Sequence, residues 1–202
     1  FYNSAVFNMK IERIQPLMLA GGVGQRMWEI TGGGRIPKCF LPIGKYNKAI
    51  DYIVEQLEKY GIRATWSADT YYYQYEEVLK GSEQRLLWQK PGGTTEAVCQ
   101  PGGIVLVMAP DCIFPYQDIL GMIKAYSPGT ITWAVSCVIL PGMEEYAGMD
   151  VLPNGAITGR SDKSIVRAPV LIADTSLLNE FRSKATGPDI FYDLLPAIER
   201  EN

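Results

Sequence analysis

The chain has 202 residues, 47% of them hydrophobic and 20% charged, with a formal net charge of −3. These values fit one soluble globular domain, and they exclude both a disordered chain and a broadly basic surface for nonspecific nucleic-acid binding. Histidine is absent, which excludes Ser-His-Asp and Cys-His catalysis and removes the commonest zinc ligand.

Apolar, β-branched runs alternate with helical patterns along the chain. We predict strands at 14–20, 62–68, 84–89, 103–109 and 131–140. We predict helices at 50–60, 71–80, 115–126, 175–184 and 189–201. The run at 103–109 is continuously apolar, as expected of a strand that is buried on both faces. The alternation predicts an α/β architecture with a mostly parallel sheet, in a single domain that spans residues 1–202.

A glycine-rich turn follows the first predicted strand, in the sequence LAGGVGQRM at 19–27. Its small residues let the backbone approach phosphate oxygens closely, with amide groups free to donate. These residues are Ala20, Gly21, Gly22 and Gly24. Arg26 offers a planar fork of donors, and Lys38, in a Pro-Lys pair one loop later, offers a compact positive charge. Together they predict a nucleotide site.

Two better-known glycine motifs are excluded. A dinucleotide fingerprint requires a third glycine where Met27 stands, and a P-loop requires Ser or Thr where Tyr46 follows Gly44 and Lys45. A tight strand-to-helix turn without a ligand is the alternative explanation for the glycines taken alone.

Asp111 follows the predicted strand at 103–109, in the sequence Ala-Pro-Asp. The carboxyl ends of parallel strands meet at one edge of a sheet, so Asp111 is expected near the glycine turn. An aspartate at that edge fits a ligand of a divalent cation that faces the phosphates. A helix N-cap or turn residue is the alternative.

The four cysteines are far apart and form no C-x-x-C pair; they are Cys39, Cys99, Cys112 and Cys137. Isolated cysteines of this kind predict reduced, mostly buried thiols in a cytoplasmic protein. No apolar run approaches the length of a membrane span and no signal peptide is evident, so we expect no membrane partner.

Several collinear segments resemble one family. LAGGVGQRM and PKCFLPI are similar to the signature of the sugar-1-phosphate nucleotidyltransferases, the nucleoside diphosphate sugar pyrophosphorylases. QKPGGTTEA, from Gln89 to Ala97, resembles the family segment that contacts the nucleobase. VLVMAPD resembles the segment whose aspartate binds magnesium, and EEYAGMDVLPNGAIT resembles a hairpin beside the sugar.

The resemblance implies a three-layer Rossmann-like nucleotidyltransferase fold with a mostly parallel mixed sheet. It implies transfer of a nucleotidyl group from an NTP to a sugar 1-phosphate, which gives an NDP-sugar and pyrophosphate, with Mg²⁺ on Asp111. Arg26, Lys38 and Asp111 are the implied catalytic residues. The implied nucleotide-binding residues are Leu19, Ala20, Gly21, Gly22, Gly24, Gln89, Gly93 and Thr94. Gly148 and Lys163 are implied at the sugar phosphate, with Arg160 as the second candidate for the lysine.

The chain departs from the family pattern on the sugar side. Pro110 replaces the glycine before the metal-binding aspartate, and Ser161 to Ser164 replace the Glu-Lys-Pro motif. A sugar-contacting glycine falls on Pro169. The second metal-binding aspartate of the family lies beyond the last helix, so the chain is expected either to be truncated before it or to be a reduced relative with an altered metal site.

Two alternative functions follow from these departures. One is a nucleotide-binding regulatory or partner protein with weak or no catalysis; the other is a nucleotidyltransferase that acts on a non-sugar phosphate. Residues 1–8 precede Met9 and are expected to be either an expression remnant or an extra strand. The base, the sugar and the formation of a homo-oligomer stay open.

Overall fold

A computed structural model describes residues 13–22, 24–90, 92–113, 115–137, 148–152, 157–161 and 165–201. Residues 1–8 and Lys163, for which the sequence made predictions, lie outside the described residues.

The centre of the fold is a six-stranded sheet. Its strands are β1 (Ile14–Leu19), β2 (Thr65–Ala68), β3 (Arg85–Trp88), β4 (Ile104–Met108), β5 (Thr132–Cys137) and β8 (Ile165–Asp174). Their order across the sheet is β3-β2-β1-β4-β8-β5. Strands β1 to β4 pair in parallel, and β8 runs antiparallel to both β4 and β5. The prediction of a mostly parallel mixed sheet is therefore confirmed.

A second, two-stranded antiparallel sheet joins β6 (Gly148–Val151) to β7 (Ile157–Ser161). It lies in the segment that resembles the hairpin beside the sugar. Gly148 pairs with Ser161, and Met149 with Arg160.

Six α-helices accompany the strands in the described part of the chain. They are α1 (Ala49–Lys59), α2 (Tyr72–Leu79), α3 (Thr94–Cys99), α4 (Tyr116–Ala125), α5 (Thr175–Phe181) and α6 (Leu195–Glu201). Short 3-10 turns cover Gln25–Met27, Lys38–Phe40 and Arg182–Lys184, and a π-helical turn at Ile190–Leu194 leads into α6. All five predicted helices are present, whereas α3 and the long strand β8 were not predicted.

Alternating side chains of the central strands point into two separate apolar layers. In β1, Ile14 and Met18 belong to one buried cluster, whereas Leu17 and Leu19 belong to the other. Helices α1, α2 and α4 cover the first face, and α3, α5 and α6 cover the second. Since a strand directs successive side chains to opposite faces, this division produces the three layers that the resemblance implied.

The parallel strands bring four chain segments to one edge of the sheet. The carboxyl ends of β1, β2, β3 and β4 all lie there, and β1 stands between β2 and β4. The chain leaves β1 for β2 on one side and reaches β4 on the other, so β1 marks the point where strand order reverses. Open α/β sheets bind ligands in the crevice at such a point.

Candidate functional site

The glycine turn begins where β1 ends. The Ala20 amide donates to the Ser67 carbonyl at 2.9 Å, which closes the ladder between β1 and β2. Gly22 and Gly24 then adopt left-handed backbone conformations, with φ of 94° and 59°, which favour glycine. The amide of Ala20 is therefore engaged by the sheet, and the exposed part of the turn starts at Gly21.

Lys38 packs directly against this turn. A Cβ atom on Gly24 would lie only 3.0 Å from Cγ of Lys38 and 3.3 Å from its Cε, so a larger residue would displace the lysine stem. The lysine begins the short 3-10 turn Lys38–Phe40, just after Pro37. The spacing between LAGGVG and Pro-Lys in the sequence thus corresponds to direct packing.

Asp111 lies beside the same lysine. It follows β4 in a tight turn, in which the Cys112 amide donates to the Ala109 carbonyl at 3.2 Å. Nζ of Lys38 donates to Oδ2 of Asp111, and both side chains are about one-third exposed. Lys38 and Asp111 are both predicted site residues. They lie 73 positions apart in the chain and are in contact at the edge of the sheet.

A cavity of about 240 Å³ opens at Gly21 and Gly22 of the glycine turn. Six of the predicted nucleotide-binding residues line it, namely Leu19, Gly21, Gly22, Gln89, Gly93 and Thr94. The charged residues in its wall are Asp69, Lys90 and Asp189, with a formal sum of −1. Because two of the three are acidic, this cavity suits an uncharged group better than a polyphosphate.

Gln89 is held in a fixed orientation at the back of this cavity. Oγ of Ser67 donates to the side-chain oxygen Oε1 of Gln89, and the backbone amide of Gln89 donates to the Ala68 carbonyl at 2.9 Å. Both side chains are buried. With Oε1 engaged by Ser67, the Nε2 group is the part of Gln89 that is left to donate to a ligand.

The start of α3 forms the opposite wall and is supported by a distant loop. The Thr95 amide donates to the Pro188 carbonyl at 2.9 Å, and the Ile190 amide donates to Oγ1 of Thr94 at 2.8 Å. A Cβ atom on Gly93 would lie 2.4 Å from both Cβ and O of Pro188. The loop at 186–190 therefore fits against Gly93 with no room for a side chain.

Asp69 is a site residue that sequence reasoning missed. It follows β2, and its Oδ1 accepts hydrogen bonds from the Gly22 amide at 3.3 Å and from the Thr70 amide. Its carboxylate atoms lie 3.5 Å from the Cβ position of Gly21. One signal was available, since Asp69 directly follows the predicted strand at 62–68 and so had to lie at the same edge as Asp111.

The thiols near the site have raised pKa values, which disfavours the nucleophilic thiolate form. Burial raises the pKa of Cys39 to about 12, and burial likewise raises the pKa of Cys112 to about 12. Cys39 and Cys99 are buried and free, whereas Cys112 is partly exposed. The predicted reduced thiols are confirmed for these three, and the side chain of Cys137 lies outside the described residues.

A sequence model described as nucleotidyl transferase matches residues 15–132, which is more than half of the chain. The chain belongs to the nucleotidyl transferase family. The match spans the glycine turn, Lys38, Gln89 and Asp111, so the family assignment covers the edge of the sheet described above. A search of curated proteins found no match.

Solved structures of nucleotidyl transferases have the same fold. An inositol-1-phosphate CTP transferase from T. maritima is 18% identical, with a TM-score of 0.68, over 93% of this chain and 80% of the other. A nucleotidyl transferase from Methanothermobacter is 18% identical, with a TM-score of 0.59, over 93% and 81%. A protein described as a candidate glucose-1-phosphate thymidylyltransferase from Bacillus anthracis is 15% identical, with a TM-score of 0.59, over 84% and 74%.

Three predicted site residues are not joined to the cavity or to the Lys38–Asp111 pair by described contacts. Arg26 has its backbone in the 3-10 turn Gln25–Met27, directly after Gly24, but its side chain lies outside the described residues, as does the whole of Lys163. Gly148 begins β6 in the separate two-stranded sheet and does not line the cavity.

The donor set for a divalent cation is small. Asp111 supplies one carboxylate, and the described residues contain no group of three or more acidic, cysteine or histidine side chains that would enclose a metal ion. Mg²⁺ commonly takes one or two carboxylates and completes its shell with water and substrate phosphates. Asp111 therefore fits Mg²⁺ that arrives with a nucleotide, rather than an all-protein cage.

Within the described residues, no helix has the length and apolarity needed to cross a membrane.

Proposed function

We propose that this nucleotidyl transferase moves a nucleotidyl group from an NTP to a sugar 1-phosphate or a closely similar polyol phosphate, with release of pyrophosphate. One observation carries the proposal: the glycine turn has an acidic, half-open cavity at Gly21 and Gly22, and it has Lys38, paired with Asp111, at Gly24. A nucleotide has the same two-part character, with an uncharged nucleoside and a polyanionic tail.

The orientation of the nucleotide follows from this division. The base lies in the cavity against Leu19, with its polar edge toward Gln89 and the backbone of Gly93. The phosphates lie across Gly24 toward Lys38, whose ammonium group stabilises negative charge on the transferring phosphorus. Arg26, one turn further on, is assigned to the β- and γ-phosphates and the leaving pyrophosphate.

The chemistry requires no general base. A phosphate monoester is already an anion at neutral pH, so its oxygen attacks the α-phosphorus without first losing a proton to the protein. The absence of histidine from the chain is consistent with this requirement. The work of the site is to hold two polyanions together and to stabilise charge in the transition state.

Asp111 is the residue that we assign to Mg²⁺, the cation on which nucleotidyl transferases generally depend. Bound there, the ion would neutralise phosphate charge and act as a Lewis acid. The ion pair with Lys38 keeps the Asp111 carboxylate at the phosphate side of the turn. Lys38 then exchanges a carboxylate for a phosphate oxygen when the nucleotide enters.

The sugar side is inferred with the help of the relatives. Two of the neighbours named above are described as acting on inositol 1-phosphate and on glucose 1-phosphate. Both compounds have a six-membered ring that carries several hydroxyl groups and one phosphate. We place this acceptor near Gly148 and Lys163. Formation of NDP-sugars in a reducing, cytoplasmic compartment agrees with the free thiols.

The test is a matrix of substrates. The purified protein is incubated with each common NTP against a panel of sugar and polyol 1-phosphates, and pyrophosphate release is followed with and without Mg²⁺. Release that requires one NTP and one acceptor together supports the proposal. Nucleotide binding without release for any acceptor identifies a non-catalytic relative, and release only with a non-sugar phosphate identifies the other alternative.

A further inference from the structure

Asp69 occupies the middle of the nucleotide path described above. Its carboxylate accepts from the Gly22 amide and lies beside Gly21, whereas Gln89 and Gly93 line the part of the cavity that we assign to the base and Lys38 lies at Gly24, which we assign to the phosphates. The ribose is the middle portion of a nucleotide. An acidic side chain at this point therefore faces neither the phosphates nor the Watson–Crick edge of the base.

The carboxylate of Asp69 is oriented by the backbone. Oδ1 accepts from the amides of Gly22 and Thr70, which fixes the plane of the group against the glycine turn. From the described residues, Oδ2 receives no hydrogen bond. Since a carboxylate offers about four acceptor positions, Oδ2 retains its capacity for a donor from a ligand.

The chemistry of the Asp69 carboxylate determines which part of a nucleotide it can bind. A carboxylate repels phosphate oxygens at short range, and it accepts strongly from hydroxyl groups. The ribose is the portion of a nucleotide that carries hydroxyl donors, at the 2′ and 3′ positions. Dinucleotide-binding sheets offer a parallel, since an acidic residue that follows their glycine-rich turn accepts a hydrogen bond from the ribose 2′-hydroxyl.

Resting on the proposed nucleotide site, we infer that Asp69 binds the ribose hydroxyls of the incoming nucleotide through Oδ2 and makes the protein selective for ribonucleotides over their deoxy forms. The Gly22 amide contributes to this role, because its hydrogen bond orients the Asp69 carboxylate that binds the ribose. Asp69 is thus a specificity residue on the donor side of the reaction.

The experiment compares equilibrium binding of two nucleotides that differ in the ribose hydroxyls. The probe is whichever of ATP, GTP, CTP and UTP binds best to the intact chain, together with its 2′,3′-dideoxy analogue. A hydrogen bond to a charged acceptor is commonly worth a factor of about 10 to 100 in affinity. We expect the wild-type protein to prefer the ribonucleotide by that factor.

Asp69→Ala is expected to bring the ratio of the two dissociation constants close to 1, by weakening the ribonucleotide while leaving the dideoxy analogue unchanged. Asp69→Asn keeps an acceptor for the Gly22 amide and provides the test if the alanine variant does not fold. Asp118→Ala, which removes an exposed carboxylate in the first turn of α4, is the matched control and should keep the wild-type ratio.

Two outcomes overturn the inference while leaving the nucleotide site standing. One is equal affinity of the wild-type protein for the two probes. The other is an equal loss of affinity for both probes in Asp69→Ala, which would assign Asp69 to the base or to the shape of the turn. A wild-type protein that binds dTTP and none of the four ribonucleotides also overturns the inference alone, whereas one that binds none of these five nucleotides contradicts the proposed function itself.

Discussion

Lys38 donates a hydrogen bond to the carboxylate of Asp111, so the residue assigned to phosphate and the residue assigned to the cation neutralise each other before any substrate binds. Both side chains are about one-third exposed, and an exposed ion pair contributes only about 0 to 1 kcal/mol to stability. The pair is therefore easily exchanged. A triphosphate is a stronger partner for the lysine, and a divalent cation is a stronger partner for the aspartate.

Lys38→Met should remove transition-state stabilisation with little effect on folding. We expect kcat/KM for pyrophosphate release to fall about a hundredfold or more, the scale for losing one electrostatic donor. The midpoint of urea unfolding should stay near that of the wild type, because the pair is partly exposed. Lys45→Met is the control, since Lys45 lies over the ring of Tyr46 away from the cavity. A Lys38→Met enzyme within threefold of wild type would remove Lys38 from the mechanism.

Asp111→Asn should abolish the effect of Mg²⁺ on nucleotide binding. The affinity of the wild-type protein for its NTP is expected to rise as Mg²⁺ is added, because Asp111 and the phosphates share the ion. In Asp111→Asn the affinity should stay at its metal-free value across the titration. The control is Asp118→Asn, in the first turn of α4. An unchanged dependence on Mg²⁺ in Asp111→Asn would show that the cation binds elsewhere.

Ser67→Ala should weaken discrimination between bases. Oγ of Ser67 holds Oε1 of Gln89, and without it the amide is free to rotate and present either its oxygen or its nitrogen. One neutral hydrogen bond is worth about 1 kcal/mol. We therefore expect the affinity ratio between the best and second-best NTP to shrink about fivefold. Ser82→Ala, whose hydroxyl donates to the Leu79 carbonyl after α2, should leave the ratio unchanged. An undiminished ratio in Ser67→Ala would mean that Gln89 is oriented by other contacts.

Sequence patterns within a few neighbouring residues were sufficient to predict several strands and helices of this fold. Apolar runs located β1 and β4, and helical spacing located α1, whose buried residues recur at Ile50, Ile53 and Leu57. Strand β8 was missed because Arg167 and Pro169 interrupt its apolar pattern, although Val170 to Ala173 are fully buried in the sheet. Helix α3 was missed because six residues are too few for a periodicity to be recognised.

The residues of the candidate site likewise fall into those that the sequence could predict and those that it could not. Lys38, Gln89 and Asp111 belong to motifs, and the sequence was sufficient to propose them. Asp69 belongs to no motif, and its role depends on β2 lying next to β1. Pro188 reaches Gly93 across 95 positions of the chain, a contact that depends on how α5 and α6 pack on the sheet. Residues supplied by such long-range packing require the structure.

Tyr71→Phe should loosen the loop that joins Arg26 to Lys38. The hydroxyl of Tyr71 donates to the Gly34 carbonyl at 2.7 Å, and Nε2 of Gln74 donates to the Arg35 carbonyl at 2.9 Å. Burial raises the pKa of Tyr71, so the hydroxyl stays protonated and able to donate at neutral pH. We expect faster hydrogen exchange at 28–36 and a KM for the NTP raised about threefold to tenfold.

The control for this substitution lies two residues away. Tyr73 is 81% exposed, so Tyr73→Phe removes a hydroxyl from the first turn of α2, next to Tyr71, without touching the loop. In an equilibrium binding assay, Tyr71→Phe should raise the dissociation constant of the triphosphate more than that of the corresponding nucleoside monophosphate, since we assign the residues at both ends of the loop to the phosphates. Equal weakening of both nucleotides would indicate a general loss of structure instead.

Gly93→Ala and Gly81→Ala form a matched pair that tests the support of the cavity wall by the loop at 186–190. Both glycines have positive φ, 84° and 88°, so both substitutions strain the backbone. With a ψ of 172°, Gly93 lies in a region that essentially only glycine adopts, at a cost of about 1 to 3 kcal/mol for another residue. Nothing lies within 4 Å of the Cβ position at Gly81, whereas that position at Gly93 is 2.4 Å from Cβ and O of Pro188. The backbone at Pro188 cannot yield without loosening its hydrogen bond to the Thr95 amide.

The two variants should therefore separate in both stability and binding. We expect Gly81→Ala to lose about 1 to 2 kcal/mol in urea unfolding, with unchanged nucleotide affinity. Gly93→Ala should lose about 1 to 3 kcal/mol more, because alanine adopts this backbone conformation less readily and because a tightly packed contact is forced apart. Its NTP affinity should fall at least tenfold, because the wall opposite Gln89 moves. Equal losses in the two variants would contradict the close packing of Pro188 on Gly93, and with it the assignment of this loop to the nucleotide cavity.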